Sequence, residues 1–169
     1  MDGTTRALAV AVAGLLGAVV SAYALTPASP EAYGRDDVAA AGMLELVNES
    51  RDAHDLPELR PADDVADVAA AWSARMAETR DFGHNPDNAT EICCWRKVTE
   101  NVAWSDPPRS RLSGDPVTTT VEDLHEALLA SPGHRRNLLD DDVDEIGIGV
   151  HVADDGSVWI TQNFRASAR

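Results

Sequence analysis

The stretch Leu128-Leu129-Ala130-Ser131-Pro132-Gly133-His134-Arg135-Arg136-Asn137-Leu138-Leu139 constrains the fold most, because it ends one helix and begins another within a few residues. Ser131 suits an N-cap whose hydroxyl serves the new helix. Pro132 suits the first helical position, where its missing N–H costs nothing. His134 then falls in the first turn, where the positive end of the helix dipole opposes imidazolium formation. A neutral ring there is available as a proton acceptor or a metal ligand. Upstream, Val121, Leu124 and Leu128 recur at helical spacing, so the helix that ends here buries one face.

Two further amphipathic helices precede it. Asp36 and Asp37 suit the start of the first, in which Ala40, Met43, Leu44 and Val47 share a face. Pro61-Ala62-Asp63-Asp64 introduces the second, with Val65, Val68, Ala69, Trp72 and Met76 turned to a core. Trp72 reads as packing. The chain then turns polar from Asp81 to Asn88, with His84 inside that loop, and Glu100-Asn101-Val102-Ala103-Trp104 reads as a short strand leaving a polar turn. Residues Asp106 to Thr120 form a long connection.

The C-terminal part is a hairpin. Ile146, Ile148, Val150 and Val152 alternate with Gly147, Gly149 and His151, and Asp155-Gly156 is a two-residue turn signal. That turn puts Gly149 opposite Gln162 and Gly147 opposite Phe164. Glycines on that face either leave room for the Gln162 amide to enter a cleft or admit a covering helix. His151, nearer the turn, falls outside the site. Helices before and between strands indicate an α+β fold, a three-layer α–β–α sandwich with a mostly antiparallel sheet.

The chain divides into three parts: an appendage over residues 1–25, a Pro- and Ser-containing linker over 26–36, and a domain over 37–169. The uncharged run Ala7 to Leu25 follows Arg6 and ends near Ala22-Tyr23-Ala24, so it reads as a cleaved export signal or a retained membrane anchor. Either places the domain outside the cytoplasm. The formal net charge is −15, with Lys97 the single lysine. This composition resembles that of proteins from extreme halophiles, and it excludes nucleic acid as a natural partner, since phosphate binding needs clustered basic charge. Asp140-Asp141-Asp142 reads as a solvated break, because consecutive carboxylates do not easily turn toward one ion.

Cys93 and Cys94 are the only cysteines. Adjacent Cα atoms lie about 3.8 Å apart, against roughly 4.4–6.8 Å in ordinary disulfides. A vicinal disulfide, two free thiols and bridges to another molecule all remain open. A zinc site lacks its usual spacer.

Several segments resemble, in order, the CAP superfamily of SCP domains, which includes cysteine-rich secretory proteins and pathogenesis-related proteins. Leu44-Glu45-Leu46-Val47-Asn48-Glu49-Ser50-Arg51 with Leu56-Pro57-Glu58-Leu59 is similar to its first helix and turn. Ala70 to Ala77 leading to Phe82-Gly83-His84-Asn85 is similar to its second helix and first histidine. Glu100-Asn101-Val102-Ala103 resembles its "GEN" segment with Thr99 replacing the glycine, the Ser131–His134 junction resembles its signature, and Ile146–Val150 with Thr161–Phe164 resembles its closing strands. The resemblance implies a cleft holding two histidines and two acidic residues. His84, Glu100 and His134 carry over, and Gln162 is expected to line the same cleft. The second glutamate does not carry over: Ser131 takes its place, with Glu126 one turn earlier.

The resemblance also implies zinc or another divalent cation on His84 and His134, with an open position for water. Three function classes follow. The leading one is an exported binding module of the cell envelope or extracellular space, taking a lipid, glycan or protein partner. The second is a hydrolase, metal-assisted or built on Ser131, His134 and Glu100. The third is a structural surface protein. Membrane contact is expected only through the N-terminal anchor.

Overall fold

The computed structural model describes residues 34–106 and 116–168. The run Ala7–Leu25, most of the linker and most of the Asp106–Thr120 connection lie outside the described residues. Helix α1 (Arg35–Asp52) begins inside the stretch read as linker, with Asp36 and Asp37 in its first turn. Strand β1 (Arg60–Pro61), helix α2 (Asp63–Thr79) and the short helix α3 (Asn88–Glu91) follow. Strand β2 (Trp95–Ser105) is longer than the sequence signal at Glu100. Helices α4 (Pro116–Ala130) and α5 (Pro132–Leu138) then lead into β3 (Glu145–Val152) and β4 (Val158–Ser167).

The four strands lie in the order β1-β3-β4-β2. The β3–β4 and β4–β2 pairs are antiparallel, and the two-residue β1 runs parallel to β3. The apolar periodicities sort the helices onto the two faces. Met43 and Val47 of α1, Val121, Leu124 and Leu128 of α4, and Leu138 of α5 join Ile146, Val150, Ile160 and Phe164 in the larger core. On the other face, α2 covers two smaller clusters, one of Met76, Ala77, Val102 and Trp159 and one of Ala62, Val65 and Ile92. Trp72 packs against the first of these, as its place on the helix implies. The result is the expected α–β–α sandwich.

The hairpin departs from the two-residue turn. Val152 pairs with Val158, and Ala153 N–H donates to Ser157 O at 2.9 Å, leaving Asp154, Asp155 and Gly156 as a three-residue loop. Gly156 takes φ 88°, the left-handed position such loops require. The extra residue shifts the register by one. Gly147 therefore lies opposite Asn163 and Gly149 opposite Thr161, whereas Ile148 lies opposite Gln162. A one-residue shift exchanges the faces of every side chain. The glycines face α2, and a Cβ on Gly147 would run into the backbone of Val65 and Ala66, one on Gly149 into that of Ala69 and Ala70. They admit the covering helix and open no space beside Gln162.

Two buried polar side chains tie the larger face together. Arg51, 1% exposed, donates to the carbonyls of Pro57, Leu138 and Asp140 at 2.8–2.9 Å, joining the end of α1 to the end of α5. His125 of α4, 4% exposed, hydrogen-bonds Ser50 Oγ of α1 through Nε2 at 2.8 Å, while its Nδ1 is buried without a partner. Burial holds its imidazole below the ordinary histidine range.

Cys93 and Cys94 are joined as a vicinal disulfide, one of the alternatives left open by the sequence. Both residues are exposed, and Cys94 has φ 63°.

Two outcomes are expected. Replacing Gly149 with Ala should cost at least about 2 kcal/mol of unfolding free energy in urea, because neither backbone can retreat without opening the sandwich. The His125 effect has a defined sign. Its folded pKa lies below the unfolded value of about 6.5, so as pH falls through 6.5 the unfolded chain takes up the proton first. Stability present above that pH is lost below it. A His125→Gln variant should show a shallower fall of unfolding free energy between about pH 6.5 and 5.

Candidate ligand cleft

His84 is placed by the end of α2 and the loop after it. Thr79 ends the helix, Arg80 adopts φ 55°, and the chain turns back. The Trp72 indole N–H then donates to Gly83 O at 2.9 Å, fixing the residue just before His84. Asn85, on the other side, is held by its amide to Glu91 Oε2 at 2.8 Å and receives Asp87 N–H on its side-chain oxygen at 3.0 Å.

Glu100 meets this loop from β2. Its Oε1 accepts the backbone N–H of Asn85 at 2.9 Å and lies 2.7 Å from His84 Nδ1. Because Oε1 is already an acceptor, Nδ1 donates to it, so in the neutral form of the ring the lone pair lies on Nε2. The ring is 61% exposed and the carboxylate side chain 6%. An outward-facing imidazole therefore stands on a buried acid. Burial pushes the Glu100 carboxyl above its ordinary range, against the opposing pull of Asn85 N–H and His84. Its Oε2 is buried with no partner.

His134 arrives from the first turn of α5. Its imidazole is held below the ordinary range by burial first and by the neighbouring charge of His84 second. The ring is thus neutral, as the sequence indicates, though the causes are desolvation and the second histidine. Ser131 occupies the N-cap position, and its carbonyl accepts Arg135 N–H at 2.8 Å. Its hydroxyl makes no capping hydrogen bond, contrary to the sequence expectation, although residue 131 takes the extended backbone angles usual at an N-cap.

Side-chain amides lock α5 to β2. Asn137 Nδ2 donates to Glu100 O at 3.1 Å and to Asn101 Oδ1 at 2.8 Å, while Asn101 Nδ2 donates to His134 O at 3.2 Å and to Gln162 Oε1 at 3.1 Å. Gln162 is fully buried and pairs across the sheet with Asn101. Neighbouring strand residues point to opposite faces, so Gln162 lies across the sheet from the Glu100 carboxylate. It supports His134 through Asn101. Asn85, Asn101 and Asn137, which position all three candidates, carry no spacing signal that separates them from loop or strand asparagines.

Among the described residues, Asp140, Asp141 and Asp142 form the one group of three or more histidine, cysteine or acidic residues with donor atoms within 4.8 Å of one another. Lys97 reaches both Asp140 and Asp142, and Arg96 reaches Asp142, so this acidic run is countered by the basic residues that begin β2. His84, Glu100 and His134 are not drawn that close together.

Comparisons with known proteins agree with this architecture. The family model described as CAP, cysteine-rich secretory protein family, matches residues 44–164. No curated protein matches the chain by sequence. Among solved structures, an outer surface protein from Borrelia burgdorferi is 18% identical with a TM-score of 0.63, over 77% of this chain and 93% of that one. An extracellular protein containing an SCP domain from Bacillus anthracis is 26% identical with a TM-score of 0.62, over 84% of this chain and 45% of that one. NaASP2, described with Zn2+, is 12% identical with a TM-score of 0.56, over 75% of this chain and 78% of that one.

The two rings report on one another. In a His84→Ala variant the His134 pKa, followed by NMR, should rise toward the ordinary value without reaching it, since burial persists. An unchanged His134 titration would separate the two histidines electrostatically.

Proposed function

From the premise that the chain belongs to the CAP family, we propose that it is an exported binding module whose cleft, between His84 and His134, takes a divalent cation such as zinc. The observation that carries this reading is the His84–Glu100 pair. A histidine that donates one ring N–H to a buried carboxylate presents its other nitrogen in a fixed tautomer, the arrangement that orients imidazole ligands toward a metal. The neutral His134 ring supplies a second imidazole donor of the kind divalent zinc accepts.

In this reading His84 Nε2 and His134 hold the cation, and Glu100 orients His84. Once bound, the cation supplies a positively charged centre with open positions for a ligand oxygen. NaASP2, which shares the fold, is described with Zn2+ and lends this assignment support.

Export is part of the proposal. The apolar run before Leu25 would carry the domain across the membrane, by a cleaved signal or a retained anchor, and the Bacillus anthracis structure of this fold is described as extracellular. Among the described residues no helix is long and apolar enough to cross a membrane. The partner is a lipid, glycan or protein outside the cell, and binding, not turnover, is the activity assigned.

Zinc calorimetry on the full chain in high salt tests the reading. The wild type should bind near one equivalent, a Glu100→Gln variant should bind 10- to 100-fold more weakly, and a His84→Ala/His134→Ala double variant should lose the site. Equal binding by all three, or none by the wild type, would rule the cation out.

A further inference from the structure

The segment from His84 to Glu100 is a closed loop, its two ends joined by the hydrogen bond between those side chains. Inside it sits a disulfide that the cleft does not use. Cys93 and Cys94 are both exposed, so a reductant in solution reaches them.

The described residues contain three non-glycine positions with positive φ. Two of them, Asp55 and Arg80, follow the ends of α1 and α2, where left-handed residues are common. Cys94 is the third, and it lies at the entry to β2. An L-residue disfavours that region because its Cβ crowds the following carbonyl. The covalent ring of the vicinal pair holds it there, together with two external ties: Ala168 N–H donates to Cys94 O at 2.7 Å, and Arg165 Nη1 to Cys93 O at 3.3 Å.

A hydrogen-bonded path runs from this point to the cleft. Trp95, next to Cys94, donates its indole N–H to Ala89 O of α3 at 3.1 Å. At the end of α3, Glu91 accepts the Asn85 amide at 2.8 Å, and Ile92 N–H donates to Asn88 O at 3.1 Å. Asn85 N–H in turn donates to Glu100 Oε1. A change of backbone angle at Cys94 moves Trp95, and Trp95 carries α3 and the support of Asn85 with it.

We propose that Cys93–Cys94 is a redox-active site, reduced by a dithiol, whose state sets how firmly the 84–100 loop holds Glu100. The reductant's thiolate attacks one cysteine sulfur, breaking the Cys93–Cys94 bond and forming a mixed disulfide. The reductant's second thiol then displaces the protein sulfur. Two electrons and two protons pass to Cys93 and Cys94, and the reductant leaves as its own disulfide. With the ring open, Cys94 is free to leave the left-handed region.

This inference stands apart from cation binding and is tested without it. The full chain is treated with an alkylating reagent before and after native dithiothreitol, and amide hydrogen exchange is followed in both states. Untreated protein should take up no alkyl group and reduced protein two. Reduction should speed exchange at Asn85 and Ile92 about tenfold or more, with Met43 of α1 and Leu124 of α4 unchanged. A Cys93→Ser/Cys94→Ser variant should match the reduced pattern and ignore dithiothreitol. Alkylation of untreated protein, or resistance to native reduction, would overturn the redox site. Unaltered exchange, or exchange that rises equally everywhere, would overturn its link to the cleft.

Discussion

Everything that places His84 depends on how closely α2 lies on the sheet. That closeness exists because Gly147 and Gly149 present no side chain to the backbones of Val65, Ala66, Ala69 and Ala70. Helix and sheet backbones meet there with the intervening layer removed, and Ser73 of α2 reaches both Gly149 O and Thr161 Oγ1, at 3.0 and 2.8 Å. Trp72, on the same helix, then has its indole at the right depth to hold Gly83. A helix held farther out would carry the His84 loop away from Glu100.

The α2 face of the sheet is divided by polarity. Its two apolar clusters flank a belt in which Ser73, Thr161, Asn163 and Glu100 turn toward the helix side. Glu100 is compensated on one oxygen alone, and Asn163, directly across the ladder from it, is fully buried with both amide atoms unpartnered. Buried polar groups left bare cost stability. Their concentration around Glu100 marks where the fold gives up apolar packing to keep a carboxylate under His84.

Much of this was readable from the sequence. The three amphipathic helices follow their periodicities, with Met43, Val47, Val65, Met76, Val121 and Leu128 all buried. The Ser131-Pro132 junction falls where its grammar places it. His84, Glu100 and His134 stood out through a family resemblance, since Glu100 follows His84 by 16 positions with no periodic signal between them. What failed was register: a loop of three residues instead of two exchanges the faces of β4 relative to β3, and Gln162 changes sides with it. The Ser50–His125 bond, 75 residues apart in sequence, has no local signature at all. The Ser131 hydroxyl makes no cap although the residue holds the N-cap position, and Pro132 removes one of the N–H groups a cap would serve.

The borders of the sheet bear on how this domain meets other molecules. On one border, β2 has its Glu100 carbonyl taken by Asn137, while Arg96 and Lys97 are tied to the Asp140–Asp142 turn. On the other, β1 contributes a proline, which has no N–H to offer, and Asp36 of α1 accepts Val152 N–H at 3.1 Å. Exposed strand edges are templates for pairing with another chain, and proteins blunt them with charge and proline. Both borders here are fenced in that way. A further strand added to this sheet would meet charge, a proline and occupied backbone groups at these positions.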